Sequence, residues 1–464
     1  MRYTLLGLLL ALFCPLARAQ EAQTEDAFFI RKLYDQTLTN SSCSDWLQYL
    51  TRRIGGRLSG TPQAAAAVEY TYQMLDTLGL DTVWLQPVMV PHWERGEPEQ
   101  VRIVNSLKMG SIDLNALSLG NSIGTGPRGL TAPVVEVRTL EEADSLGEQL
   151  RGKIVFFNTP MDPTELNTFN AYGKAAGARV YGASRASKYG AVGALVRSLT
   201  TRLDDIPHTG STVYTEDALP IPALAISTLD AELLSQLLKE EPVRVYLRNT
   251  SRMLGEKLSY NVIGEIRGSV HPEEIILVGG HLDSWDVGTG AHDDGAGCVH
   301  AMEVLRQIKL AGYRPKRTIR CVLFMNEENG LRGGRAYWEW SDAGQEYHTA
   351  AIESDRGGFT PRGFTVDGHD EVFNAKFKKA IEWLPLLEPY GLSFRKGGSG
   401  ADISGLKSQK GLLFGFEPDS QRYFDYHHTP IDGPDVVNRR ELELGAAAML
   451  SLVYLIDKYG LEVE

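Results

Sequence analysis

Residues 274–297 read EIILVGGHLDSWDVGTGAHDDGAG, and this stretch decides the fold. Glu274 to Val278 is a short apolar run rich in β-branched residues, closed by Gly279 and Gly280, and it predicts a buried strand. Past a polar loop, Val299, Met302, Leu305 and Ile308 recur at helical spacing and predict a helix over Gly295 to Leu310. The loop between them carries His281, Asp283, Asp293 and Asp294. A strand entering a helix through such a loop is the unit of an open α/β sheet, in which sites gather at the carboxyl ends of the strands.

The unit recurs downstream. Ile319 to Met325 (IRCVLFM) runs into Asn326-Glu327-Glu328, and Thr349 to Ile352 runs into Glu353-Ser354-Asp355. Leu412 to Phe416 precedes Tyr426-His427-His428-Thr429, and a last helix opens at Asn438 with Glu441 three residues on, a capping box. Strands alternating with helices predict an α/β, doubly wound and mostly parallel sheet. Nearly every predicted strand end delivers a carboxylate or an imidazole, the donors that zinc takes. A single catalytic zinc needs only three protein ligands, so the surplus predicts two metals bridged by a carboxylate, with Asp293 the natural bridge. Glu327 and Glu328 suit a division of labour in which one acid binds metal and its neighbour takes a proton from water.

The rest of the chain sets bounds. It has 464 residues, 43% hydrophobic and 23% charged, a globular composition, and its charge of −12 excludes a broad basic nucleic-acid face. Residues 1–19 combine Arg2, an apolar run from Leu5 to Phe13 and Ala17-Arg18-Ala19. They predict a signal peptide cut after Ala19, hence a secreted or periplasmic protein with no stable membrane anchor. Cys43, Cys298 and Cys321 form no CxxC spacing, and the latter two fall in apolar elements that predict buried free thiols. A Gly-, Ser- and Pro-rich stretch from Asn105 to Gly129 is followed by short strands at Val134, Lys153, Ala191, Ala223 and Val243, with no cluster suited to chemistry. Residues 112–250 are therefore expected to be an insert between 20–111 and 251–464. GNSIG (120–124) and GTGPRG (124–129) spell a nucleophile elbow and a dinucleotide loop, but neither has the strand before and helix after that those motifs need.

HLDSWDVGTGAHDDGAG (281–297), NEENG (326–330), ESD (353–355) and HHTPID (427–432) together resemble the co-catalytic zinc exopeptidases. That family includes bacterial leucyl aminopeptidases and glutamate carboxypeptidase, and the resemblance is strongest to its carboxypeptidase Q branch. It extends to GGRLSGT (55–61) and VWLQPVMVPHW (83–93). It implies the zinc exopeptidase fold with a protease-associated insert, two zinc ions per chain, and short peptides or dipeptides as substrates. It further implies that His281 and Asp355 hold one zinc, Asp293 bridges, and Glu328 and His428 hold the other. Glu327 becomes the general base and Asp283 the residue that orients His281. His428 is preferred over His427 because the family ligand precedes Ser or Thr, and Thr429 follows it. His427 stands where several relatives carry an oxyanion-stabilising tyrosine, so His427 or Tyr426 takes that role, and Asp402 is a further substrate-facing candidate. The end of the peptide that is held stays open, with Asp402 or Glu353 as acids for an amine and Arg332, Arg335 or Arg395 as cations for a carboxylate. The insert is expected to narrow the cleft or make a dimer contact. A receptor-like binding protein and a zinc glutaminyl cyclase-like acyl transferase are the rival readings, disfavoured by the full set of ligands and base.

Overall fold

The computed structural model describes residues 23–462. The expected signal peptide lies outside the described residues. Among the described residues, sixteen strands form two eight-stranded sheets. The first is built from β1 (Thr82–Glu94), β10 (Arg252–Ile266), β11 (His271–His281), β12 (Arg317–Phe324), β13 (Tyr347–Glu353), β14 (Pro361–Gly368), β15 (Ser393–Lys396) and β16 (Leu412–Pro418). Its spatial order is β1-β10-β12-β11-β13-β16-β14-β15.

The middle of this sheet, β12-β11-β13-β16, is parallel throughout. Its strands are apolar on both faces because both faces are covered. Ile276 and Val278 of β11, with Ile319, Cys321 and Leu323 of β12, pack under helices Ala296–Ala311 and Arg439–Tyr459. Leu277, Val322 and Phe324 pack on the other side with Tyr337 of helix Arg332–Ala343. The expected mostly parallel sheet is observed: four of its seven strand pairings are parallel, and the antiparallel pairs β1–β10, β10–β12 and β14–β16 make it mixed. At one edge a long ribbon of β1 on β10 has Thr82 facing Glu265 and Glu94 facing Arg252. Alternating hydrophobicity in β1 fits a strand with one exposed face at the sheet's edge.

Everything from residue 95 to residue 251 therefore leaves and rejoins the first sheet at two facing residues. This excursion builds the second sheet from β2 (Gln100–Ser106), β3 (Gly110–Leu114), β4 (Ala116–Ser118), β5 (Leu130–Val137), β6 (Ile154–Phe157), β7 (Gly193–Arg197), β8 (Ala223–Ile226) and β9 (Arg244–Arg248). The second sheet includes β2 and the start of β3, which precede residue 112. A core of Val101, Ile103, Ile154, Phe156, Leu195 and Leu224 holds it together. GNSIG and GTGPRG are loops: Ser122 is buried and its hydroxyl accepts the Ala223 N–H at 2.9 Å. Cys43, Cys298 and Cys321 are buried free thiols.

Two apolar contacts seat the excursion on the first sheet. Met161, Ala171, Ala175 and Leu199 pack with Phe359, Tyr423 and Phe424. Trp285, in the loop after β11, lies against Trp93 and directly over Gly120, where a Cβ would fall within 2 Å of the indole. Among the described residues, no helix is long and apolar enough to cross a membrane.

Candidate metal centre

The parallel register brings the strand ends level. His281 closes β11 opposite Phe324 of β12, and Gly279 of β11 faces Glu353, the last residue of β13. The loops that leave these strands therefore meet over the same edge. His281 Nε2 lies 3.1 Å from Asp293 Oδ1 and 3.4 Å from Asp355 Oδ1. On the other side of the same carboxylate, Asp293 Oδ2 lies 3.1 Å from His428 Nε2, which is also 3.1 Å from Glu328 Oε2. His427 Nε2 stands farther off, 3.8 Å from Asp293 Oδ2, with its ring stacked on that of His428. Asp293 thus turns one oxygen to His281 and Asp355 and the other to His428 and Glu328.

The surrounding backbone explains why these side chains hold still. Arg57, fully buried, donates to the carbonyls of Leu282, Thr289 and Gly290 and fixes the loop after β11. Asp432 accepts the N–H groups of His292 and Asp293 at 2.8 and 3.1 Å. Asp294 accepts those of His281 and Gly297. Asp283 meets His281 through its carbonyl oxygen, 3.0 Å from Nδ1, while its carboxylate stays 3.8 Å away. That carboxylate instead accepts the N–H groups of Asn326 and Glu327 at 2.7 and 3.0 Å, so Asp283 pins the Glu327–Glu328 turn as well as the imidazole.

Packing so many acids together moves their protonation. Burial, with Asp293 nearby, raises Glu328 to about 7. Glu327, half-buried, is pushed well above the ordinary range by loss of water and by Asp355 and Glu328. Burial works against a charge on His428, but Glu328 and Asp293 outweigh it and hold that imidazole up at about 10. Asp293 Oδ2 and Glu328 Oε1 are buried and have no hydrogen-bond partner among the described residues. Asp293 groups with His281 and Asp355 on one side and with His427 and His428 on the other, and these donors, with the orphaned oxygens of Asp293 and Glu328, fit divalent metal that accepts imidazole nitrogen and carboxylate oxygen.

A cleft of about 460 Å³ opens over this cluster. Glu327, Glu328, Asp293, Asp355, His427 and His428 line its floor, and Phe169, Tyr172, Arg179 and Ser211 of the excursion form a wall. Tyr426 stacks on His292 and Phe359 and does not line the cleft. Asp402 is buried against Gly334 and does not line the cleft either. Glu353 does, but its carboxylate already accepts the N–H groups of Ala401 and Ile403. Of the three expected cations, Arg332 and Arg335 are exposed outside the cleft and Arg395 pairs with Glu417. Two cations that do line the cleft, Arg179 and Arg356, were missed from sequence, and Arg356 is already engaged, donating from Nη2 to the Gly398 carbonyl at 3.0 Å. Arg179 is only 6% exposed, donates from Nη2 to the Tyr172 hydroxyl at 2.7 Å, and leaves Nε and Nη1 without partners among the described residues.

This is the arrangement of a metal-dependent hydrolase, with clustered metal-ligand residues under a short cleft and a carboxylate, Glu327, beside them. Residues 261–453 match peptidase family M28. Mouse (Mus musculus) carboxypeptidase Q is 35% identical over 413 residues, 88% of this chain and 84% of the relative. The crystal structure of a peptidase M28 precursor from Shewanella amazonensis superposes with a TM-score of 0.88 at 34% identity, covering 95% of this chain and 99% of the other. A zinc aminopeptidase from Bacillus subtilis shares the fold, with a TM-score of 0.64 at 21% identity over 89% of this chain and 94% of its own. The chain belongs to peptidase family M28 and is a metallo-exopeptidase.

Proposed function

We propose that this protein is an exported exopeptidase that uses two zinc ions to hydrolyse short peptides, dipeptides among them, and that it holds its substrate by the carboxyl end. The observation that carries the reading is the division of the Asp293 carboxylate between two facing ligand groups. His281 and Asp355 would hold one ion, His428 and Glu328 the other, with Asp293 between them. When bound, zinc supplies Lewis acidity that activates water and polarises the scissile carbonyl. Glu327 takes the proton from the attacking water and returns it to the leaving amine, the role its seat on the cleft floor supports. His427 faces the same floor and is the candidate donor to the developing oxyanion. Asp283 acts through the Glu327 turn it anchors.

Arg179 supports the carboxyl-end assignment. Its guanidinium belongs to the cleft wall and has no carboxylate partner among the described residues, which suits a substrate carboxylate, whereas the acids that would receive a free amine are engaged or set back. Export is proposed from the residue 1–19 pattern.

The test compares free, N-acetylated and C-amidated dipeptides on zinc-loaded protein. Cleavage of the free and acetylated sets, with the amides spared, is the expected result. Glu327→Gln should keep zinc and fold yet lose roughly 10²–10⁴-fold in kcat. Near wild-type turnover by that variant would remove Glu327 from the mechanism.

A further inference from the structure

The His427–His428 pair is gripped from behind by a loop 219 residues earlier in the chain. His208 Nδ1 donates to the His427 carbonyl at 2.8 Å, and the Thr209 N–H donates to the His428 carbonyl at 3.0 Å. In return, His428 Nδ1 donates to the Thr209 carbonyl at 3.3 Å. A carbonyl only accepts, so this contact keeps a proton on Nδ1, and in the neutral, metal-ligating form of the imidazole it is Nε2 whose lone pair faces Asp293 and Glu328. His428 also sits at φ +61°, a left-handed conformation that a side-chain-bearing residue keeps when its surroundings impose it. The backbone contacts on both sides of it do so.

The loop is itself tied to the second sheet. The His208 N–H donates to Ser198 Oγ at 2.8 Å, the Thr209 hydroxyl to the Ser118 carbonyl at 2.7 Å, and the Gly120 N–H to the Gly210 carbonyl at 2.9 Å. Loss of water in its buried setting lowers the His208 imidazole to about 3, so it stays neutral and a donor only through Nδ1.

We infer that the 208–210 loop is a positioning element for one of the two metal sites: it sets the tautomer and backbone of His428, so that the excursion completes the site shared by Asp293, Glu328 and His428 while the His281–Asp355 site forms without it. The inference rests on the two-zinc reading above. Partners that orient metal-bound imidazoles through their second nitrogen are worth about 10–100-fold in affinity.

The experiment is chelator competition on the zinc-loaded full chain, following zinc stoichiometry rather than turnover. Wild type is expected to hold two ions, and His208→Ala to release one of them at about 10–100-fold lower chelator concentration while keeping the other. His208→Asn, whose amide N–H can replace the Nδ1–H, should restore the second ion. Gly210→Ala gives an independent displacement of the loop, because its Cβ would fall 2.5 Å from the Arg179 guanidinium, and it should show the same selective loss. Cobalt(II) loaded in place of the released zinc should show an altered visible spectrum in His208→Ala. Equal retention of both ions in the His208→Ala and Gly210→Ala variants, or equal loss of both, overturns the positioning role. A wild-type protein that holds fewer than two ions overturns the two-zinc reading itself.

Discussion

Arg179→Met separates binding from stability in opposite directions. In the free protein Arg179 is only 6% exposed, and among the described residues its guanidinium has one hydrogen bond, to Tyr172, and two nitrogens that have none. Each unsatisfied buried donor costs about 1–3 kcal/mol. Methionine keeps most of the side-chain volume and removes those donors, at the loss of one hydrogen bond and the stacking on Tyr172. The expected net effect is a fold about 1–3 kcal/mol more stable, seen as a melting temperature raised by a few degrees. With a peptide bound, the balance reverses. A hydrogen bond to a charged group is worth about 1.5–3 kcal/mol, so the variant should raise KM for peptides with a free terminal carboxylate by about 10- to 150-fold. C-amidated peptides, poor substrates to begin with, should be unaffected. Arg179→Lys should recover only part of the loss, because an ammonium cannot offer a planar two-pronged contact. A variant that weakens acid and amide substrates alike, or that melts below wild type, would show Arg179 to be a structural residue and would reopen which end of the peptide is held.

Two further outcomes concern protonation and packing. His348 is buried and neutral, bonded to Tyr337 and Gln409, and burial lowers it from 6.5 to about 4. Below pH 6.5 the unfolded chain takes up a proton that the folded chain refuses, so stability falls as pH drops and levels off near pH 4. At about 1.4 kcal/mol per pH unit the loss reaches about 3 kcal/mol. His348→Gln should flatten that part of a stability–pH curve measured by urea unfolding, and an unchanged slope would refute it. Gly120→Ala should push Trp285 off its seat and cost about 1–3 kcal/mol or more by overpacking, with loss of the Trp285 contact on His428. Its Trp fluorescence and limited proteolysis between residues 95 and 251 would register the change, and wild-type behaviour in both would refute the packing argument.

The sequence makes the centre of the first sheet legible for a physical reason. Strands buried on both faces appear as uninterrupted apolar runs, and the residues after them have no packing role that would explain three carboxylates and an imidazole pair. The ribbon of β1 and β10 is less legible, because an alternating edge strand carries no sign of its partner 170 residues away. Asp283 shows a subtler limit: the residue is conspicuous, but whether its carbonyl or its carboxylate meets His281 depends on a loop conformation fixed by Arg57. Arg179 and His208 were invisible for the opposite reason. Arg179 lies in TFNAYGKAAGARVYGASRAS, which reads as an ordinary small-residue helix, and His208 in a loop with no motif. Only the fold brings Arg179 to the cleft and His208 behind the histidine pair.

The meeting of Glu94 with Arg252 has an evolutionary consequence. A segment whose two ends are neighbours can be exchanged, lengthened or resculpted with little demand on the scaffold that hosts it, since the ribbon closes in the same way whatever it carries. Here that segment supplies the wall with Arg179 and the loop behind His428, while the carboxylates and His281 come from the host. Selection on the guest alone can therefore change which molecules are admitted without altering the groups that break the bond, but any replacement must bring its own support for His428. Inheritance of the reaction and of its selectivity runs along different lengths of one chain, joined at a single imidazole.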